Sequence, residues 1–170
     1  MFEIIEDNDL AIETALISVA RDREIDKPKL RASLSAIEEI LSALPQLSIE
    51  IRHHFSKGVY AREMIMPKQS LVVGKIHKFA NLNILSQGEV TVISIDGVQR
   101  LKAPAHIVAS PGVKRILFAH SDVIWTNLHG THETDLAKIE AEFIAKDYSE
   151  VDSITEDELN KIKEAMSCHG

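Results

Sequence analysis

Residues 89–101 read EVTVISIDGVQRL, two β-branched runs on either side of Asp96-Gly97. Glycine tolerates the positive φ of tight turns, so Ile95-Asp96-Gly97-Val98 predicts a hairpin with a two-residue loop. Similar runs continue in both directions. The predicted strands are Val59–Met66, Ser70–Ile76, Leu82–Leu85, Glu89–Ile95, Val98–Leu101, His106–Ala109, Arg115–Phe118 and Val123–Leu128. With no helix between them, these strands predict a mainly β fold, an antiparallel barrel or double-sheet jelly roll.

Helical patterns flank this barrel segment on both sides. The spacing predicts a helix from Asp9 to about Arg23, and a second one that Pro45 ends. The second helix carries one apolar stripe, which must pack on the barrel or on another subunit. Its residues are Leu30, Leu34, Ile37, Leu41 and Leu44. Thr131 is the predicted N-cap of a later helix, and Thr155-x-x-Glu158 is a capping box before the last one.

These patterns divide the chain into three parts. We predict an N-terminal helical extension over residues 1–48, a β-barrel over 49–129 and a C-terminal helical extension over 130–170.

Composition narrows the class of protein. The 170 residues carry 26 acidic and 19 basic side chains, a net charge of −7, which argues against a broad nucleic-acid-binding surface. No apolar run approaches the roughly 18 residues of a membrane span. The N-terminus has acids where a signal peptide needs bases. The lone Cys168 cannot form an internal disulfide, so we expect a reducing compartment and neither nucleic acid nor membrane as partner.

The barrel segment carries the spacing of two known motifs. The first motif is a glycine, HxH, a glutamate and a second glycine, and these positions hold Gln69, Lys75-Ile76-His77, Asn81 and Gly88 here. The second is a glycine, PxG, a histidine and an asparagine. Its positions hold Pro104, Ser110-Pro111-Gly112, Arg115 and Ala119. Over residues 52–140 the chain therefore resembles the cupin family, and within it the small cupin-like proteins of tailed bacteriophages. The resemblance implies a cupin-type jelly-roll barrel.

The resemblance also implies a metal site at four positions, of which only His77 holds a good ligand. A protonated Lys75 has no lone pair, Arg115 stays protonated, and Asn81 is a weak ligand. Two cations would repel a divalent ion. We therefore expect no cofactor, while a divalent metal remains an alternative on a displaced set formed by His77, His54 and His120.

The same positions suit an anion. Lys75, His77 and Arg115 pointing into the barrel, with Asn81, would bind a carboxylate or phosphate. Glu63 is the fifth candidate, because an inward Glu63 beside either cation would form an ion pair. Alternatively, Lys75 and Arg115 sit at strand ends and reach solvent, or pair with Glu63 or Asp122.

Other histidines allow further interpretations. His120 lies two residues before Asp122, which is compatible with a proton-transfer dyad or with simple stabilisation of a turn. His129 and His132 flank Gly130-Thr131, where they could clip a metal or sit beside a helix cap.

Three functions follow as expectations. The first is a non-enzymatic, homo-oligomeric cupin-fold protein, phage-encoded, with an assembly or accessory role in the host cytoplasm or the virion. The second is a barrel that sequesters a small anion or nucleotide-like ligand. The third is an enzyme, either a metal-dependent oxygenase or isomerase or a metal-free epimerase.

Overall fold

The computed structural model describes residues 2–4, 27–43 and 46–152. Their helices are α1 (Lys27–Ser42), α2 (Leu136–Phe143) and α3 (Ser149–Asp152). The strands are β1 (Phe2–Ile4), β2 (Glu50–Ser56), β3 (Val59–Met66), β4 (Ser70–Val73), β5 (Ile76–His77), β6 (Asn81–Gln87), β7 (Glu89–Ser94), β8 (Gly97–Lys102), β9 (Ala105–Ala109), β10 (Arg115–Ala119), β11 (Val123–His129) and β12 (Ile144–Ala145). The predicted helices over residues 9–23 and after Thr155 lie outside the described residues.

Two five-stranded antiparallel sheets form the barrel. The first has the order β1-β4-β10-β7-β8, and the second has the order β2-β3-β11-β6-β9. Strands distant in sequence are neighbours, as β4 and β10 are in one sheet and β3 and β11 in the other. This arrangement confirms the prediction of a mainly β, cupin-type jelly roll with helical segments outside the barrel.

Strand alternation fills the space between the sheets. Every second residue of β3 and β11 points inward, so Met64, Met66 and Trp125 meet Val92 and Leu117 of the opposite sheet. All five side chains are buried. This apolar cluster occupies one part of the barrel and leaves the part beside α2 to other side chains.

Helix α1 packs on the outer face of the first sheet. Leu34 is 0% exposed and lies in one apolar cluster with Leu71, Ile116 and Phe118, and Ile37 and Leu41 pack against that cluster. An ion pair between Glu38 and the buried Lys114 fixes the helix from the side. Leu34, Ile37 and Leu41 of the predicted apolar stripe thus pack on this chain's own barrel, whereas Leu44 and the side chain of Leu30 lie outside what the structure describes.

The predicted hairpin forms one residue earlier than expected. Ser94 pairs with Gly97 and Ile93 with Val98, so Ile95 and Asp96 form the two-residue loop. Gly97 has a φ of +113°, a conformation that side chains rarely adopt, and it opens β8. The glycine is therefore needed at the strand entrance, and the prediction that it forms the second loop position was wrong.

Three further elements differ from the sequence predictions. Strand β2 was missed because six of its seven residues are exposed, which gives no apolar alternation. Strand β1, which pairs with β4, lies in the extension predicted to be helical. Helix α2 is capped by Asp135, whose carboxylate accepts from the backbone N–H of Ala137 at 2.9 Å, so Thr131 is not its N-cap.

None of the helices in the described ranges combines the length and apolarity that crossing a membrane requires.

The packing of α1 predicts a large cost for one truncation. We expect Leu34→Ala to lower the free energy of unfolding by about 3 kcal/mol, because it leaves a cavity under the helix. Ile40→Ala on the same helix is the matched control, since Ile40 is 64% exposed, and should cost less than about 0.5 kcal/mol. Urea unfolding measures both. Equal effects of the two substitutions would contradict the docking of α1.

Candidate functional site

A cavity of about 400 Å³ lies between the two sheets at the end of the barrel that α2 covers. This volume falls within the roughly 300–1,000 Å³ of small-molecule pockets. Met64, Trp125, Leu117 and Val72 line it and belong to the apolar cluster, so they separate the cavity from the rest of the barrel interior. Ile139 and Phe143 of α2 line the covered end.

Strand register builds a polar row across the second sheet. Arg62 pairs with His53 on one side and with Asn127 on the other, and Asn127 pairs in turn with Asn83. All four side chains line the cavity. Two residues further towards the C-terminus of β3, the next inward-facing pair across the sheet is apolar, Met64 with Trp125. The cavity therefore has a polar wall directly above an apolar floor.

The amides in this row hold one another. Asn127 donates to Asn83 Oδ1, and Asn83 Nδ2 donates to Asn81 Oδ1 at 2.8 Å. Asn83 is 1% exposed, so these bonds satisfy groups that water does not reach. Asn81, a predicted site residue, does not line the cavity and instead supports Asn83 from behind.

Arg115 approaches from the opposite sheet. It lies on β10, lines the cavity and is 8% exposed. Burial lowers the pKa of Arg115 and of Arg62 from the ordinary value, although neither guanidinium loses its charge. Within the described residues, no ion pair or hydrogen bond involves either side chain; Asp96 influences Arg115, and Glu140 influences Arg62, only through space. Two guanidinium groups therefore enter the cavity without a bonded carboxylate.

Lys75 stands at the rim of the cavity. Its side chain is 56% exposed and forms an ion pair with Glu140 of α2, which is similarly exposed. The strand that was predicted to run through Lys75 is broken there, since β4 ends at Val73 and β5 begins at Ile76. Lys75 therefore contributes less to the inner wall than the sequence predicts.

Aromatic and imidazole rings form a stacked series along one side. His129 stacks on His77 at 5.2 Å between ring centroids and on Tyr60 at 6.1 Å. Tyr60 stacks on His53 at 5.9 Å, and its hydroxyl lies 2.8 Å from His53 Nδ1. Burial, followed by neighbouring charge, lowers the pKa of His77 to about 3 and that of His129 to about 4. Both imidazoles are neutral at pH 7.

Backbone contacts fix His77 in place. Its strand β5 pairs with β12, immediately after α2, and its carbonyl accepts from the Gly112 N–H at 2.8 Å. The next residue, Lys78, donates its N–H to the Phe143 carbonyl at 2.8 Å. His77 Nδ1 itself is buried and has no hydrogen-bond partner in the described part of the chain.

Several predicted candidates lie elsewhere. Glu63 sits on the outer face of β3, within 3.4 Å of Arg52 and 3.7 Å of His54, because alternation turns it away from Arg62. His120 Nε2 lies 2.7 Å from Thr91 Oγ1, and the Asp122 carboxylate accepts from the Lys68 N–H at 2.9 Å. Neither His54 nor His120 lines the cavity with His77.

The donor set does not fit the divalent metal that the cupin resemblance implies. Across residues 2–4, 27–43 and 46–152, no three His, Cys, Asp or Glu side chains group in a way that could hold a metal ion. The cavity instead presents two guanidinium groups beside His77, and cations repel a divalent ion. The predicted displaced set of His77, His54 and His120 is not assembled.

The sequence analysis missed Arg62, Asn83, Asn127, His53 and His129 as cavity residues. One signal was available for Arg62, which shares its strand alternation with Tyr60, Met64 and Met66. Three large inward residues at the same parity predict that Arg62 points inward with them.

The two cavity histidines, His77 and His129, predict that the free energy of unfolding decreases as the pH is lowered. Their pKa values lie below the ordinary 6.5, so their contribution to stability is complete above pH 6.5 and is lost as the pH falls towards 3. We expect the free energy of unfolding to fall by about 2 kcal/mol more between pH 6 and pH 5 in the wild type than in the double variant His77→Phe/His129→Phe. Urea titrations at each pH measure this. His54→Gln on the outer surface is the control, and equal pH slopes in all three proteins would refute the burial of neutral imidazoles.

Comparison with known proteins finds likeness in structure alone. No protein-family model and no curated protein matches the chain. Among solved structures, an RmlC-like cupin family protein with a double-stranded β-helix fold from Methanocaldococcus jannaschii is 13% identical over 50% of this chain and 82% of its own, with a TM-score of 0.42. The Schizosaccharomyces pombe Cnp3 cupin domain is 16% identical over 59% and 76%, with a TM-score of 0.43. A cupin-2 domain containing protein from Shewanella frigidimarina is 13% identical over 56% and 92%, with a TM-score of 0.40. At such scores these likenesses say nothing about what this chain binds.

Proposed function

We propose that the barrel binds a small organic dianion in its interior cavity. The observation that carries this proposal is the placement of Arg62 and Arg115 on opposite sheets of one cavity, with neither side chain ion-paired within the described residues. An anionic ligand supplies the partner that the protein does not.

Electrostatics favour this proposal over a structural role for the arginines. Burying a charge costs free energy unless the charge is paired, and a core built only for stability would hold apolar side chains here. At the rim, Glu140 forms its ion pair with Lys75 and acts on Arg62 only through space, and the imidazoles of His77 and His129 are neutral. The two guanidinium charges remain, and a dianion balances them.

Guanidinium chemistry narrows the ligand class. Arginine binds carboxylate and phosphate through two parallel N–H donors, which fixes the direction of the anion as well as its charge. Because the arginines lie on facing sheets, a molecule with an acidic group at each end can engage both at once. A dicarboxylate is the simplest such molecule.

The expectation of an oligomeric, non-enzymatic assembly or accessory protein of phage origin stays a prediction. It rests on the degenerate metal site together with the helical patterns at both ends of the chain; Leu34, Ile37 and Leu41 of α1 pack on this chain's own barrel. The enzymatic alternatives also stay predictions, and no arrangement in the cavity favours one of them. Binding is the function that a specific geometry favours.

Succinate binding tests the proposal. Trp125, the single tryptophan of the chain, lines the cavity, so its fluorescence reports on occupancy. We expect Arg115→Met and Arg62→Met each to weaken succinate binding at least 10-fold, because each removes one of two charge-assisted contacts. Arg100→Met is the matched control, since Arg100 is exposed and pairs with Glu89 on the outside; its affinity should equal that of the wild type.

Without ligand, the same Arg115→Met substitution should stabilise the protein, although it weakens succinate binding. Replacing the buried, unpaired Arg115 by Met should raise the free energy of unfolding by about 1–3 kcal/mol in anion-free buffer. Succinate at a concentration that saturates the wild type should stabilise the wild type more than the Arg115→Met variant, because the variant binds it more weakly. Thermal unfolding measures both. A variant that is less stable than the wild type, together with no succinate effect on either protein, would assign Arg115 a structural role and overturn the proposal.

A further inference from the structure

Neutral hydrogen-bonding groups surround the two guanidinium groups of the cavity. Besides Arg62 and Arg115, the polar lining includes Tyr60, Asn127 and three histidines, His53, His77 and His129. A simple anion trap would need only cations. The additional groups can both donate and accept hydrogen bonds. Carboxylate oxygens only accept, so a plain dicarboxylate would leave the acceptors of the cavity unused.

His77 and His129 are held as neutral imidazoles, which both donate and accept hydrogen bonds. A neutral imidazole carries one N–H and one bare nitrogen, whereas a protonated one only donates. Burial and the nearby guanidinium groups lower the pKa of His77 and His129 far enough to keep both rings neutral. Neither ring makes a side-chain hydrogen bond to any described residue, and His77 Nδ1 is enclosed without a partner.

Ring packing occupies the faces of His129. The ring stacks on both Tyr60 and His77 with interplanar angles of 19° and 12°, and the tilted Phe143 ring lies 4.6 Å from it between centroids. A ring that stacks on two others uses its faces for packing and keeps its edge, where the nitrogens are, for hydrogen bonds. The same stacking disfavours a flat aromatic ligand, which would need a free ring face.

Hydroxyl groups match this lining. A hydroxyl donates one hydrogen bond and accepts two. It can therefore accept a hydrogen bond from the N–H of one neutral imidazole and donate one to another ring nitrogen or to an amide oxygen. The neutral groups reach the cavity from β2, β3, β5 and β11, so they face the middle of a ligand from several strands.

We infer that the ligand is a hydroxylated dicarboxylate, a sugar-derived diacid or a similar hydroxy acid, whose carboxylates meet Arg62 and Arg115 and whose hydroxyls meet His77, His129 and Asn127. This inference rests on the proposed function and adds the chemistry of the middle of the ligand. Arginines set the charge, and neutral imidazoles set the preference for hydroxyl groups.

Matched pairs of diacids test the inference. Tartrate and succinate share a four-carbon chain, glucarate and adipate share a six-carbon chain, and each pair differs by hydroxyl groups alone. Calorimetric titration of the wild-type protein at pH 7 should give at least 10-fold tighter binding for the hydroxylated member of one pair or both. The pair with the larger ratio also shows which chain length spans the arginines.

Two variants assign the preference to the histidines. His129→Phe and His77→Phe keep a stacked ring and remove both ring nitrogens, so we expect the hydroxylated-to-plain affinity ratio to fall to within 3-fold of unity while succinate or adipate still binds. The outer-surface variant His54→Phe should keep the wild-type ratio. Because the readout is a ratio within one protein, a modest loss of stability does not imitate the result.

The outcomes separate the two proposals. Equal affinities for hydroxylated and plain diacids in the wild type overturn this inference and leave the dianion site intact. A wild-type preference that persists in both histidine variants also overturns it. Absence of binding by all four diacids overturns the dianion site and the inference with it.

Discussion

Strand register is the constraint on which the cavity depends. Side chains alternate between the two faces of a strand, so the pairing of β3 with β2 and β11 decides at once which residues of β3 enter the barrel. In the observed register the side chains of Arg62 and Met64, two residues apart on β3, point into the barrel, and the side chain of Glu63 between them points outward. A slip of one residue would bury Glu63 and expose Arg62, which would set a carboxylate opposite Arg115, cancel the charge of the cavity and place Met64 in water.

Helix α1 helps to fix the orientation of side chains in the other sheet, because it covers the outer face of β10. All five residues of β10 are buried, because the cavity and barrel core cover one face and α1 covers the other. Arg115 and Ile116 are neighbours in sequence, yet one faces the cavity and the other faces Leu34. Packing that stabilises the fold from outside therefore keeps β10 central and Arg115 away from bulk water. The strand tolerates a buried cation because the apolar contacts of its other face offset the cost.

The sequence was sufficient for the fold and for part of the site. β-Branched runs separated by turn residues predicted eight strands and the jelly roll, since these signals are local. Arg115 and His77 were found because the motif spacing marks them. Arg62, Asn83 and Asn127 were not, because the inward face of a strand is set by its partners in the sheet. Lys75 lies at the rim of the cavity and not on its inner wall for a local reason, because the chain leaves the strand at Gly74 and the lysine reaches Glu140 at the surface.

The path of the chain after α2 links this helix to the strand that carries His77. The chain passes directly into β12, whose residues pair with Ile76 and His77, so the helix over the cavity and the histidine within it share one short ladder. Freeing the helix would break this ladder, the bond from Lys78 to Phe143, the packing of Ile139 and Phe143 on Tyr60 and the ion pair of Glu140, but it would separate neither five-stranded sheet. Release of the proposed ligand would then depend on the contacts of the helix, whereas the arginines would set how strongly it is held. Residence time and affinity of that ligand would thus be set by different parts of the molecule, and changes in one need not follow changes in the other.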